Sequence, residues 1–309
     1  MLGGRVTVVG SLNVDVTLPV EHLPQPGETV LTRGPARLSF GGKGANQAAA
    51  AAAFGGHVAM IGRVGDDDNG RQIIADLAGR GVETADVFIT AGERTGTATI
   101  AVDTAGENLI VVDPGANSRL APDDITAASI GQGGVLLLQL EIPMRTVQAA
   151  ARAPDALVVL NPAPAAFLSP EVLDFVDVLV PNKSELGHLT GAEPQVTMNG
   201  LAQLARRFAE GTDVVVTLGS DGVLIVPRAA GLVTHIAAPR VAVADGTGAG
   251  DCFCGCLAVL LAEGADLVSA VQVAVAAASI STTGLGARGR LPSRMEAEQA
   301  AAGLRAETI

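Results

Sequence analysis

The sequence predicts an α/β fold, a doubly wound and mainly parallel sheet with helices on both faces, plus a small β-sheet lid. Three observations carry this. Short β-branched runs recur along the chain and are nearly all apolar, the pattern of strands buried on both faces. Ala-rich helical stretches separate them, and repeated β-α alternation implies a doubly wound sheet. Two regions break the alternation with shorter strands and with turns bearing Pro and Gly.

In chain order the apolar runs are RVTVVG (5–10), HVAMIG (57–62), VLLLQL (135–140), ALVVLN (156–161), VDVLVPN (176–182) and DVVVTLG (213–219). Helices are expected at about 43–54, 69–80, 143–152, 184–190 and 197–210. Residues 14–40, with VTLPV, ETVLT and ARLSF, and residues 96–113, with GTATIAVD and ENLIVVD, supply the lid strands. After Thr234 the chain reads as mainly helical, over roughly 248–262, 266–282 and 293–306.

Composition removes several function classes. The 309 residues can bury a large core, since 48% are hydrophobic. Lys and Arg number 20 against 32 Asp and Glu, for a formal net charge of -12. Such a chain repels nucleic-acid phosphates and anionic membranes. It has no Trp or Tyr on which bases could stack. The apolar run at the amino terminus is too short for a signal peptide, and the stretches near 252–262 and 267–280 fall short of the ~20 apolar residues of a membrane span. Cys252, Cys254 and Cys256 form a C-x-C-x-C cluster, which is not a disulfide framework and fits a reducing, cytoplasmic setting. No His lies at zinc-ligand spacing from them.

Three glycine-rich segments invite a nucleotide reading. GGKGAN (41–46) is not a Walker A motif, because Gly44 follows Lys43. Gly284 to Gly289 fits G-x-G-x-x-G literally, but it follows a helix instead of opening one, so its context fails for a dinucleotide. DGTGAGD (245–251) stands directly before an apolar helical run. Gly248, Ala249 and Gly250 can turn the backbone so that successive N–H groups face an anion at the helix start. Asp251 then sits in the first turn beside that anion. Helix capping alone would explain the aspartate but not three small residues before it. A carboxylate beside a phosphate pocket is what phosphoryl transfer to a hydroxyl needs.

From about Val6 to Pro292 the chain resembles the ribokinase (PfkB) family of carbohydrate kinases. The segments GSLNVD (10–15), PGETV (26–30), GGKGANQAAA (41–50), GDD (65–67), GEN and GAN (106–108, 115–117), LQLEIP (138–143), NPAPA (161–165), PNKSE (181–185), TLGSDG (217–222) and DGTGAGD fall in the family's order. The resemblance implies one kinase domain over 1–309, with a lid that doubles as a homodimer interface. It implies ATP as phosphoryl donor, Mg²⁺, and K⁺ as an activating monovalent cation. The sugar hydroxyls would be held by Asn13, Asp15, Gly41, Gly42, Lys43, Asn46 and Glu141, with Asp251 as general base and 248–251 as the anion hole. ATP would lie along Asn182, Thr217, Leu218, Gly219, Ser220, Asp221, Gly222, Gly250 and Asp251, with Val275 beside the adenine. Asn182 and Glu185 would organise Mg²⁺ through water, since Mg²⁺ binds few protein groups directly. The same pair also reads as a helix-capping box. K⁺ would lie among Asp245, Thr247, Ser281, Gly284, Gly286 and Arg290, several of them through backbone carbonyls.

The chain departs from the family pattern at Gly246, where Thr is usual, at Val275, which makes the adenine contact apolar, and at the three cysteines. On a helix Cys252 and Cys256 share one face and Cys254 points elsewhere, which suits core packing. A helix start favours a Cys252 thiolate and the neighbouring Asp251 opposes it; an accessible Cys252 would let alkylation block the anion pocket. GGKGANQ and the Asn13–Asp15 pair favour ribose as acceptor, converted to ribose 5-phosphate. The alternatives are another acceptor (deoxyribose, a nucleoside, fructose or a sugar phosphate) or a non-catalytic sugar-binding protein on the same fold. The presence of Asp251, Asn182 and Glu185 argues against the last.

Overall fold

The structure, a computed structural model, describes residues 4–131, 133–153, 155–192, 197–229 and 231–309. The first three residues of the amino-terminal apolar run therefore lie outside the described residues. In chain order the strands are β1 (Arg5–Val9), β2 (Asn13–Pro19), β3 (Arg37–Gly41), β4 (His57–Gly65), β5 (Glu83–Thr90), β6 (Gly96–Val102), β7 (Asn108–Asp113), β8 (Val135–Leu138), β9 (Leu157–Leu160), β10 (Val178–Leu179), β11 (Asp213–Thr217), β12 (Val223–Val226), β13 (Thr234–Ile236) and β14 (Ala306–Thr308). The helices are α1 (Lys43–Ala53), α2 (Asp68–Gly79), α3 (Ala127–Ile130), α4 (Met144–Ala151), α5 (Pro170–Leu173), α6 (Lys183–Thr190), α7 (Met198–Ala205), α8 (Ala249–Ala262), α9 (Leu267–Ser281) and α10 (Arg294–Ala301).

A ten-stranded sheet runs in the order β14-β13-β12-β11-β10-β9-β8-β1-β4-β5. From β5 to β11 all neighbours are parallel, and β12, β13 and β14 close that end antiparallel. The apolar runs alternate sides as strands buried on both faces must. Val8, Leu137, Val159 and Val215 pack against α1, α2, α8 and α9. Val9, Leu136, Leu138 and Val158 face α4 and α5, and Val214 and Val216 face α6 and α7. No helix among the described residues is long and apolar enough to cross a membrane.

A separate four-stranded sheet, β3-β2-β6-β7, is built from the two regions that broke the alternation. Its outer strand β7 is exposed throughout, with Val111 61% and Ile110 53% accessible.

Several elements differ from the sequence reading. ETVLT (28–32) is not a strand; only Thr32 makes an isolated bridge, to Val20. The expected helix at 293–306 stops at Ala301, and the chain then adds β14 to the sheet edge. Its last residues satisfy the backbone of β13, a long-range demand that no local pattern records. The helix expected over 197–210 ends at Ala205 and continues as turns. Strands β5, β12 and β13 were not expected as elements of the main sheet. In β5, Glu83 and Asp86 interrupt the apolar residues and dilute the apolar signal. The strand expected over 176–182 is two residues long, because Pro181 precludes further pairing through its nitrogen.

Candidate active site

The residues singled out in the sequence converge at the carboxyl ends of the parallel strands, where open α/β sheets place ligands. Ser11 follows β1, Glu141 follows β8, Asn161 follows β9, Asn182 follows β10, and Thr217 ends β11. The amino termini of α1, α6 and α8 meet them from the helix layers.

Two close approaches set the geometry. α1 and α8 cross at Gly255, where a Cβ would lie 2.5 Å from the Gln47 carbonyl oxygen and 2.9 Å from the Ala51 nitrogen. The Ala-rich face of α1 and the bare Gly255 therefore let the two helices touch backbone to backbone. At the start of α8, Gly248 has φ +77°, and a Cβ there would sit 2.6 Å from the Ala287 Cα. That left-handed residue caps α8 and aims its first turn at a cavity. The opening N–H groups of a helix have no intrahelical acceptor, so this turn is an anion site of backbone dipoles.

The cavity, about 190 Å³, is lined by Lys43, Asn182, Glu185, Gly248, Gly250 and Asp251 among others. Asp251 is buried, and both its oxygens are held. Asn46 donates Nδ2–H to Oδ2 at 3.1 Å, and Gln47 donates Nε2–H to Oδ1 at 3.0 Å. Gln47 is itself fixed: Gln139 donates to its Oε1 at 2.6 Å, and its Nε2 also reaches Asn161 Oδ1 at 3.2 Å. Asn161 in turn donates to the Val180 carbonyl at 2.9 Å. Burial pushes the Asp251 carboxyl up, opposed by the Lys43 ammonium and by the two amides. Burial also works against the Lys43 charge, but Asp251, Glu141 and Glu185 outweigh it and hold the ammonium above its usual range.

Asn13 and Asp15 lie on β2, against Gly96 and Ser39 of the neighbouring strands. Asn13 Oδ1 accepts from Asn117 Nδ2 at 2.7 Å. The Asp15 carboxylate lies over Gly41, where a side chain would collide with it. Its carboxyl is raised to about 6, by burial first and then by Glu141 and Asp251, against the pull of Arg288 and Lys43. Glu141 accepts from the Ser11 hydroxyl at 2.5 Å and from the Lys43 backbone N–H at 3.1 Å, which ties β8 to the start of α1. Gly42 is the N-cap of α1.

Asn182 and Glu185 form a reciprocal capping box, each side chain accepting the other's backbone N–H at 2.8 Å. Glu185 still lines the cavity, and burial raises its carboxyl. Thr217 and Gly250 also line a second, mainly apolar groove of about 580 Å³, which adds Gly219, Ser220, Gly222, Phe253 and Val275. The two hollows thus join at Thr217 and Gly250. Leu218 and Asp221 do not line that groove: Leu218 is buried in the core under β11 and β12, and Asp221 pairs with Lys183 at 2.9 Å.

The proposed cation residues come together as loops. Asp245 accepts from Thr247 N–H at 2.9 Å and Gly286 N–H at 2.8 Å, and these bonds hold its carboxyl below the usual range against burial. Gly284 packs against Arg290, whose guanidinium is taken by Glu296. A guanidinium has no acceptor, so any part of Arg290 in a cation site falls to its carbonyl. Ser281 donates its hydroxyl to the Ala278 carbonyl at 2.7 Å.

The three cysteines pack into the core, as their helical spacing suggested. Cys252, Cys254 and Cys256 are all buried, so Cys252 offers no route for alkylation. The cavity wall is formed by Cys254, not Cys252. Burial, with nearby carboxylates, pushes the Cys254 thiol well up, and burial does the same at Cys256. Sequence reasoning also gave no role to Gln47, Gln139, Asn161, Asn117 and Arg288. The first four stand inside motifs already noted, GGKGANQ, LQLEIP, NPAPA and GAN; for Gln139 and Asn161 a polar residue closing an apolar strand was the available signal.

The model of the pfkB family of carbohydrate kinases matches residues 4–294. Ribokinase from Haemophilus influenzae is 38% identical over 297 residues, covering 94% of this chain and 96% of that protein. The crystal structure of ribokinase from Thermotoga maritima superposes with a TM-score of 0.86 at 35% identity, covering 96% of this chain and 98% of that one. The structure of Arabidopsis thaliana ribokinase complexed with ribose and ATP gives a TM-score of 0.85 at 32% identity, with the same coverage.

Proposed function

The chain belongs to the pfkB family of carbohydrate kinases, and from that premise we propose that it transfers the terminal phosphoryl group of ATP to ribose, forming ribose 5-phosphate and ADP. The observation that carries the chemistry is Asp251, fixed through both oxygens by Asn46 and Gln47 beside the turn at Gly248 to Gly250. Burial lifts its proton affinity, as suits a base that must take a hydroxyl proton near neutral pH. The acceptor oxygen bonds to the phosphorus, its proton passes to Asp251, and the bond from phosphorus to the ADP oxygen breaks. The N–H groups of the first turn of α8 face the charge that grows on the phosphoryl oxygens.

Asn13, Asp15, Gly41, Gly42, Lys43, Asn46 and Glu141 form the sugar side. Several present donors and acceptors together, as hydroxyl groups require. The joined groove takes ATP, with Thr217, Gly219, Ser220 and Gly222 along it and Val275 against the base. Asn182 and Glu185, which both line the cavity, suit Mg²⁺ held through water. Mg²⁺ would neutralise phosphate charge. The Asp245 loop and the segment 281–290 suit K⁺, because Asp245 already ties them together.

Asp251→Asn tests the reading. It should retain ribose and ATP binding by calorimetry while turnover falls by a factor of ~10² or more. Near-normal turnover would remove Asp251 from the mechanism.

A further inference from the structure

Arg288 has no place in the reading above, yet its side chain is only 7% exposed and is fully engaged. Its Nε–H donates to Asn46 Oδ1 at 2.8 Å. One terminal nitrogen pairs with Asp76 of α2 at 2.8 Å, and the other donates to the Gly41 carbonyl at 3.3 Å. Asp76 also binds Arg80 at 3.1 Å, so it is a fixed anchor. The Asp15 carboxylate lies over Gly41, the residue whose carbonyl Arg288 holds, so the guanidinium adjoins the proposed sugar side.

The consequence falls on Asn46. A side-chain amide can face either way round, and its partners decide which. Arg288 can only donate, so it selects the carbonyl end of Asn46 and leaves Nδ2 facing Asp251 Oδ2. Arg288 belongs to the same short segment as Ala287, which packs on Gly248, and Gly286, which binds Asp245. One stretch of backbone therefore touches the anion turn, the Asp245 loop and the sugar side.

We propose that Arg288 is a positioning residue for the phosphoryl acceptor: its planar fork fixes the polarity of Asn46 and the Gly41 carbonyl, and thereby orders the sugar pocket against Asp251. This rests on the assignment of Asn46 and Asp15 to that pocket. A lysine would keep the charge but cannot serve Asp76, Asn46 and Gly41 from three fixed directions.

The test is steady-state kinetics of Arg288→Ala, Arg288→Lys, Asp76→Asn, Asn46→Ala, Asp15→Asn and the double variant Asn46→Ala/Arg288→Ala, with melting temperatures. The ribose KM should rise about ten-fold or more in Arg288→Ala and Arg288→Lys, and less in Asp76→Asn, while the KM for ATP stays within two-fold. The double variant should lose less in ribose KM than the two single losses combined, since part of the effect of Arg288 passes through Asn46. Additive losses, a normal ribose KM in Arg288→Lys, or equal losses in both KM values that track a lowered melting temperature would overturn the proposal. If Arg288→Ala does not fold, the Lys and Asp76→Asn variants decide it. Normal ribose KM in both Asn46→Ala and Asp15→Asn would instead overturn the pocket assignment itself, and the role of Arg288 with it.

Discussion

Asp15, a proposed sugar contact, is held at a cost. Burial and the repulsion of Glu141 and Asp251 raise its carboxyl from 3.8 to about 6. A carboxyl raised in the folded state contributes stability that is complete below the unfolded value, near 3.8, and is lost as pH rises through about 6. Replacing it with the neutral isostere removes that loss. Asp15→Asn should therefore melt a few degrees above the wild type at pH 8, and the gain should shrink toward zero by pH 4. Equal gains at both pH values would show that the Asp15 charge is not what strains the pocket. The candidate site was largely legible at this scale, because Asp251, Asn13, Lys43 and Glu185 sit in recognisable motifs. The amide chain from Gln139 through Gln47 was not, because each link joins residues far apart in sequence; Gln47 and Asp251 are separated by 204 positions.

At the scale of elements, the site depends on how closely α1 approaches α8. Both helices are read directly from their apolar composition, but their crossing point is set by one glycine in a helix interior, a residue that local propensity merely marks as unfavourable. Gly255→Val should force the helices apart, because its Cβ alone would meet backbone at 2.5 Å. A loss of several degrees in melting temperature is expected, together with a fall in turnover of ~10-fold or more as Gln47 draws away from Asp251. Unchanged turnover in a stably folded variant would show that this crossing does not position the base. The edge of the sheet teaches the converse. β14 was missed because its pairing satisfies a neighbour in space and not a pattern in sequence. Parallel strands β1, β8, β9 and β11, apolar on both faces, declared themselves.

For the whole molecule, the small sheet and the main sheet divide the work. The first carries Asn13 and Asp15, and the second carries the strand ends that reach the anion turn. The outer strand of the small sheet exposes Leu109, Ile110, Val111 and Val112 in succession, with Leu38 71% exposed on the opposite edge strand. Such an unpaired apolar edge needs a cover, and a second copy of the chain, packed lid to lid, is the cover we propose. Light scattering at micromolar concentration should give twice the mass of 30.9 kDa, and Val111→Lys should shift it toward the monomer. A fully active monomer in the wild type would contradict this. The central claim, sugar-dependent transfer from ATP, is met most directly by measuring ADP release with ATP and Mg²⁺ across ribose, 2-deoxyribose, fructose, a nucleoside and a sugar phosphate, each in K⁺ and in Na⁺. Ribose should give the highest kcat/KM and K⁺ the faster rates; equal rates in the two salts would remove the cation site, a better acceptor than ribose would reassign the substrate, and no sugar-dependent ADP from any acceptor would contradict the account as a whole.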